Sequence, residues 1–390
     1  MIGAATILAA LALCAWFYLL LGRGLFWTAS ERLPLVPPGR GPAPPVAAIV
    51  PARNEAKLIG RTLASLAAQE YAGAFRIVVV DDDSRDGTAD VARGMAAKDG
   101  RIDVVAARTR PDGWGGKIWA MAEGVHRAGE IAPDAAFLWF TDADIVHGPA
   151  TLARLVARAE AKGCDLVSLM VRLHCRSSWE RLLIPAFVFF FQMLYPFRRV
   201  NDPERREAAA AGGSMLVRSA ALGRIGGLAA IKDALIDDCA LARAVKDSGG
   251  AVWLGLSWDD VSIRPYDGLS GVWSVVARTA FDQLGYSGWA LAGTVAAMLL
   301  VFVVPPVVAI TILAHGEVAA LVIALLAWFM MAAAEAPTLR LYGLKAWHGI
   351  VLPAAALLYT GMTIDSAIRH WLGRGGSWKG RHHRPRAAGS

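Results

Sequence analysis

FLWFTDADIV, running from Phe137 to Val146, is the stretch on which the reading of the chain turns. Four apolar residues, Phe137 to Phe140, give way abruptly to two carboxylates one residue apart, Asp142 and Asp144. An apolar run of this length bounded by acids reads as a buried strand. In an open α/β sheet the carboxyl ends of the strands are where ligands sit. Two carboxylates at that edge suit a divalent ion, Mg²⁺ or Mn²⁺, that draws its remaining ligands from substrate phosphates and water. An isolated D-x-D also occurs in surface loops and at helix N-caps, so its neighbours decide the matter.

Those neighbours repeat the pattern. Val46–Val50 ends in PARNEA and is followed by a helical pattern with Leu58, Ile59, Leu63 and Leu66 on one face. Arg76–Val80 runs into Asp81-Asp82-Asp83-Ser84-Arg85-Asp86-Gly87-Thr88, a helix starts near Thr88, and Ile102–Ala106 reads as a third strand. Gly115-Gly116-Lys117 opens a further helix over residues 117–128, ahead of the strand quoted first. Strand and helix alternate four times, and the strands show no in/out alternation. The expectation is an α/β, Rossmann-like and mostly parallel sheet covered on both faces, with the strand ends gathered along one edge.

Composition sets a second constraint. Of 390 residues, 55% are hydrophobic, and the apolar residues cluster in residues 2–21, 288–314, 318–334 and 348–364. Each cluster approaches the ~20 residues that cross a bilayer. The expected organisation is an N-terminal transmembrane anchor (1–22), a Pro-rich linker (23–45), a catalytic domain (46–285), C-terminal transmembrane helices (286–370) and a basic tail (371–390). The first segment has no basic residue ahead of its apolar run and reads as a retained anchor. Arg23, Arg32 and Arg40 after it place the catalytic part in the cytoplasm, against a bacterial-type inner membrane crossed several times. The number of crossings and the side of the tail stay open. Four crossings put the tail outside, whereas Arg369, Arg374, Lys379, Arg381, Arg384 and Arg386 favour the cytoplasm. The net charge of +7 does not imply nucleic acid. The arginines from Arg172 to Arg206 flank an aromatic, aliphatic run, as at an anionic lipid surface. Within it, 178–198 reads as an interfacial helix with its aromatic face toward lipid. The four cysteines show no C-x-x-C pairing, in keeping with a reducing compartment.

Five motifs together, VPARNE (50–55), VVDDDSRDGT (79–88), GGK (115–117), TDAD (141–144) and IDD (236–238), resemble those of family 2 glycosyltransferases with the GT-A fold. The likeness is greatest to the membrane-bound hopene-associated glycosyltransferases, and it extends to the C-terminal apolar segments and the ending GGSWKGR. The resemblance implies that Pro51, Arg53 and Glu55 line a nucleotide base pocket and that Asp82 accepts a hydrogen bond from uracil. Asp83 and Asp86 read as turn and cap residues of the same loop. Lys117, at a helix start behind two glycines, would meet the diphosphate together with Asp142. Asp144, with Asp142, would hold the metal. Gly212, Gly213 and Ser214 would approach the acceptor, and Asp238, beside Asp237, would be the general base.

Processive relatives carry a Q/R-x-x-R-W motif, of which Val275–Thr279 keeps only Arg278 as a candidate acceptor residue. The expected activity is therefore transfer of one sugar from a nucleotide, UDP above all, to a membrane lipid hydroxyl, with a hopanoid as the implied class. Transfer to a polyprenyl phosphate is the alternative. A non-catalytic nucleotide-sugar-binding membrane protein is the rival from another class, and the presence of both Asp144 and Asp238 speaks against it.

Overall fold

Apolar runs that end in acids become neighbouring strands. The computed structural model describes residues 3–34, 43–373, 377–378 and 381–382, so most of the Pro-rich spacer, the GGSWKGR ending and the basic tail lie outside the described residues. One compact unit is built from residues 31–173 and 199–264, and the other from residues 3–30, 174–198 and 265–373.

The first unit holds an eight-stranded sheet of β1 (Val46–Ala52), β2 (Phe75–Asp81), β3 (Ile102–Ala106), β4 (Phe137–Thr141), β5 (Ile145–Val146), β6 (Leu166–Arg172), β7 (Ser214–Arg218) and β8 (Val252–Ser262), in the order β3-β2-β1-β4-β7-β6-β8-β5. The four strands β1 to β4 are parallel, so the acids that follow β1, β2 and β4 share one edge. β7 runs antiparallel to β4 and β6, and β5 antiparallel to β8, so the sheet is mixed beyond its first half. Every residue of β1 is buried, as a strand covered on both faces requires. Ile59, Leu63 and Leu66 of the helix Ile59–Ala67 are fully buried on one side with Val46, Ala48 and Val50. Burial of each such side chain is worth about 1.5–3 kcal/mol. Pro51 sits in this central strand without breaking its ladder to β4, because that pairing ends at Ile49 opposite Phe140.

Two registers place the site. Thr141 pairs with Ser214, which sets Gly212 and Gly213 beside the acids that follow β4. Ile145 pairs with Ser262, which sets the end of β8 beside Asp144. The helix Gly116–Ile131 covers β1 and β2 and carries Lys117 in its first turn.

Among the described residues the second unit contains four helices long and apolar enough to cross a bilayer, Ala4–Gly22, Gly288–Ile310, Val318–Leu341 and Ala346–Trp371. The helix Ser178–Leu194 clusters with them rather than with the sheet, as does Gly268–Gln283, although the sequence places both within one domain ending at residue 285. Ser177 caps the first of these, accepting from the Glu180 N–H at 3.2 Å while Glu180 accepts from the Ser177 N–H at 2.8 Å. Its aromatic face also differs from the expectation of lipid contact. Phe189 is fully buried, and the Phe190 ring packs edge-on against Phe302 and Tyr359 at 5.3 and 5.2 Å. Aromatic edges find partners in the apolar helices themselves, so burial among them competes with lipid for these two rings.

Gly124 marks the tightest approach of helix to sheet. A Cβ there would lie 2.4 Å from Ile49 Cγ2 and 3.2 Å from Val80 Cγ2. Gly124→Ala gains ~1 kcal/mol of helix propensity but loses up to ~3 kcal/mol to overpacking against a stiff β-branched side chain. The variant is expected to melt below the wild type in the same detergent, and an equal or higher melting temperature would contradict this packing.

Candidate active site

The first two strand-end loops brace each other. The Asn54 N–H donates to Ser84 Oγ at 3.0 Å, the Arg85 N–H to Asn54 Oδ1 at 2.9 Å and the Ala56 N–H to Asp86 Oδ2 at 3.0 Å. Asp86 Oδ1 also accepts from the Thr88 N–H at 3.1 Å, a turn bond to the first helical N–H made from one residue ahead of the N-cap, Gly87. Asn54 and Asp83 both take the left-handed conformation that short polar side chains tolerate. Arg53 donates to the Asp82 carbonyl, and its guanidinium lies 3.6 Å from Asp82 Oδ2 and 3.7 Å from Asp83 Oδ2. Asp82 is buried, whereas Asp83 is exposed.

The acids that follow β4 and those that open the helix Asp237–Asp247 are brought together by one ammonium group. Lys117 Nζ lies 2.9 Å from Asp142 Oδ1 and 3.3 Å from Asp237 Oδ2. Burial alone would lower the lysine pKa, but the charges of Asp142 and Asp237 hold the proton well above the usual range. Asp238 stands beside this group. Its Oδ2 accepts from the Gly212 N–H at 2.8 Å and its Oδ1 from its neighbour's N–H, Cys239, at 2.7 Å. Burial, with the adjacent Asp237 charge, pushes Asp238 up to about 6 against the pull of Lys117 and these two donors. Burial likewise raises Asp142, opposed by Lys117 and reinforced by Asp144. Gly212 packs closely on the site, since a Cβ would lie 3.2 Å from Lys117 Nζ and 3.3 Å from Asp238 Oδ2. Pro51, Lys117, Thr141, Asp142 and Gly212 line one crevice.

Behind this edge lies a buried polar network. Thr141 Oγ1 is 2.8 Å from His147 Nε2 and donates to the Gly213 carbonyl at 3.0 Å. His147 Nδ1 is 2.8 Å from Asp260 Oδ1, which also accepts from Thr151 Oγ1 at 2.8 Å, while Ser257 Oγ engages the other oxygen. Burial would raise the Asp260 pKa, but the hydrogen bonds from His147, Ser257 and Thr151 outweigh it and hold the group below the usual carboxylate range. These groups anchor the residue immediately ahead of Asp142.

The residues expected from sequence divide as follows. Lys117, Asp142, Asp237, Asp238 and Gly212 meet at one place. Ser214 does not present its hydroxyl there. It is fully buried and its Oγ accepts from Trp139 Nε1 at 2.9 Å, because the register puts it diagonally across from Trp139 on the same face. Glu55 is paired with Arg264, which also donates from Nε to Asp144 Oδ2 at 2.9 Å. Arg278 lies on the helix Gly268–Gln283 in the other unit, whose Trp273 donates to Asp365 Oδ2 at 2.6 Å. Arg264, His147 and Asp260 were not marked by any motif.

Asp142 and Asp144 fit a divalent cation by their chemistry. Glu55, Asp142, Asp144, Asp237 and Asp238 outnumber the cations that face them, Lys117 and Arg264. Among the described residues no three His, Cys, Asp or Glu side chains form a complete metal set. A cation held here would therefore complete its shell from a diphosphate and water.

A mixed α/β sheet with acids gathered at the carboxyl ends of its parallel strands has its ligand-binding edge there. The chain belongs to glycosyltransferase like family 2, whose family model matches residues 43–255, and it is an enzyme with a GT-A catalytic fold. It is 34% identical over 140 residues to an undecaprenyl-phosphate 4-deoxy-4-formamido-L-arabinose transferase of Pseudomonas aeruginosa, covering 35% of this chain and 38% of that one. It is 34% identical over 122 residues to a 4,4'-diaponeurosporenoate glycosyltransferase of Staphylococcus haemolyticus, covering 30% of each. The matched stretch thus spans well under two thirds of these curated relatives. Among solved structures, a mannosyltransferase from Pyrobaculum calidifontis in complex with GDP-Man and Mn²⁺ aligns over 95% of this chain and 99% of its own, with a TM-score of 0.55 and 20% identity. That likeness speaks to the fold.

Asp260→Asn exchanges an acceptor oxygen for a donor facing hydroxyls and removes the charge beside His147. The expected loss is ~3 kcal/mol, the scale of a broken buried pair, read as a lower melting temperature. A loss below ~1 kcal/mol would contradict the network described.

Proposed function

We propose that the protein is an inverting, metal-dependent transferase that moves a single sugar from a nucleotide donor, a UDP-sugar by the resemblance of its motifs, to the hydroxyl of a membrane lipid. The observation that carries this reading is the meeting of Asp142 with Asp237 and Asp238 around Lys117. In it, Asp238 takes the proton of the acceptor hydroxyl while that oxygen forms its bond to the anomeric carbon. The bond from that carbon to the diphosphate breaks, and the electron pair leaves on the phosphate oxygen. A carboxylate held by two N–H donors keeps free lone pairs for this, and a pKa pushed up to about 6 gives it basic strength at neutral pH. Lys117 would supply positive charge beside the leaving group, and by the resemblance of their motifs Asp82 and Arg53 would meet the nucleobase. A divalent ion held by Asp142 and Asp144 would neutralise charge on the departing diphosphate. The four apolar helices support a membrane setting, and Arg23 and Arg32 after the first of them support a cytoplasmic face for the sheet unit, with a bacterial inner membrane as the site. The resemblance to hopene-associated transferases makes a hopanoid the first acceptor to try.

A second reading is favoured by the name of the Pseudomonas relative, which acts on undecaprenyl phosphate. A phosphate acceptor is already ionised and needs no base.

The two readings separate at one residue. With a hydroxyl acceptor, Asp238→Asn is expected to lower kcat by about 10²–10⁴ while UDP binding, measured by calorimetry, stays at the wild-type level. Turnover surviving in that variant would sink the base and favour the phosphate acceptor. The pH profile carries an independent expectation. Only the ionised carboxylate can accept the proton, so kcat should hold above pH 6 and fall as pH drops through about 6. A profile flat down to pH 5 would count against Asp238 as the base.

A further inference from the structure

The end of β8 grips Asp144 with three successive residues. Ser262 Oγ donates to Asp144 Oδ2 at 3.1 Å, the Ile263 N–H donates to the Asp144 carbonyl at 2.9 Å, and Arg264 Nε donates to Oδ2 at 2.9 Å. The far end of the same guanidinium is paired with Glu55, at the close of the PARNEA loop. Arg264 thus bridges two acids that follow different strands, β1 and β4. Its own side chain is 39% exposed over partners that are 6% and 12% exposed. A planar guanidinium can span two carboxylates in this way, whereas an ammonium is a single point charge. The oxygen it takes, Asp144 Oδ2, belongs to the carboxylate that would hold a divalent cation. Two cations cannot share that oxygen without strong repulsion in a partly buried site.

We infer that Arg264 is an exchangeable occupant of the cation site, closing Asp144 in the nucleotide-free protein and leaving it when a divalent cation enters with the donor. Once released, the guanidinium has a matching new partner in the diphosphate, whose oxygens accept from an arginine fork as a carboxylate does. Cation and nucleotide binding are then linked through one side chain, and each strengthens the other by the same factor. The inference depends on Asp142 and Asp144 being the cation ligands.

The test is Mn²⁺ binding to the full-length protein in nanodiscs, followed by electron paramagnetic resonance with and without UDP or GDP. Arg264→Gln is expected to raise nucleotide-free Mn²⁺ affinity about tenfold, the scale of one charge-assisted hydrogen bond, and to shrink the gain that the nucleotide brings. Arg264→Lys keeps the charge but cannot span both acids, so it too should bind nucleotide-free Mn²⁺ more tightly than wild type. Affinity unchanged or weakened in Arg264→Gln overturns the exchange, as does a nucleotide effect equal to that of wild type. A Lys variant indistinguishable from wild type overturns the bridge and leaves only a charge effect. Asp144→Asn separates the two layers of the argument. Mn²⁺ lost in that variant but insensitive to Arg264 removes the exchange alone. Mn²⁺ retained in Asp144→Asn removes the cation reading and the exchange with it.

Discussion

One ammonium group, Lys117 Nζ, stands between carboxylates that are some hundred residues apart in the chain, and the arrangement of the site depends on it. Asp142, Asp237 and Asp238 crowd into a partly buried space where like charges would otherwise drive protons on. A cation among them lets Asp142 and Asp237 approach, while burial still raises the carboxyls of Asp142 and Asp238 against its pull. The helix that carries Lys117 is pressed onto the sheet at Gly124, and Gly212 packs closely beside the ammonium. Packing, backbone and electrostatics thus converge on a single side chain.

Much of this was legible in the sequence, for physical reasons. β1, β2 and β4 announce themselves because a strand covered on both faces is mostly apolar, and each runs into polar residues at its carboxyl end, whereas β3 is an edge strand that carries Asp103. The acids of TDAD and IDD stand out because a paired carboxylate beside an apolar run is hard to explain as packing alone. What escaped was set by register and distance. Ser214 looks like part of a glycine-rich acceptor loop, but pairing with Thr141 turns its hydroxyl to Trp139. His147 and Asp260 are 113 residues apart, and nothing local marks either as half of a pair. Arg264 sits in SIRPYDG, a segment without a repeated acid or glycine pattern; only the pairing of Ile145 with Ser262 brings it to Asp144. The helix Ser178–Leu194 was readable as apolar, but periodicity could not say whether its phenylalanines meet lipid or protein.

The site has a division of labour. The loops after β1 and β2 are tied to each other by backbone and short polar side chains, which suits a rigid pocket for a flat base. The acids that follow β4 and those of the helix Asp237–Asp247 are held instead by side-chain cations, Lys117 on Asp142 and Asp237 and Arg264 on Asp144. In the proposed function the first half would recognise the nucleotide and the charge-balanced half would carry the reaction. The family model spans both halves, from residue 43 to residue 255, with Arg264 beyond its end.

The most direct test of this account is a double-mutant cycle between Lys117→Met and Asp237→Asn, read as kcat/KM for the labelled nucleotide sugar that the protein turns over in native lipids. If Lys117 joins the two sets of acids into one working site, the double variant will be little worse than the worse single variant, with a coupling of ~1 kcal/mol or more. Losses that multiply, with coupling below ~0.3 kcal/mol, would show that the two residues act independently and would contradict the account.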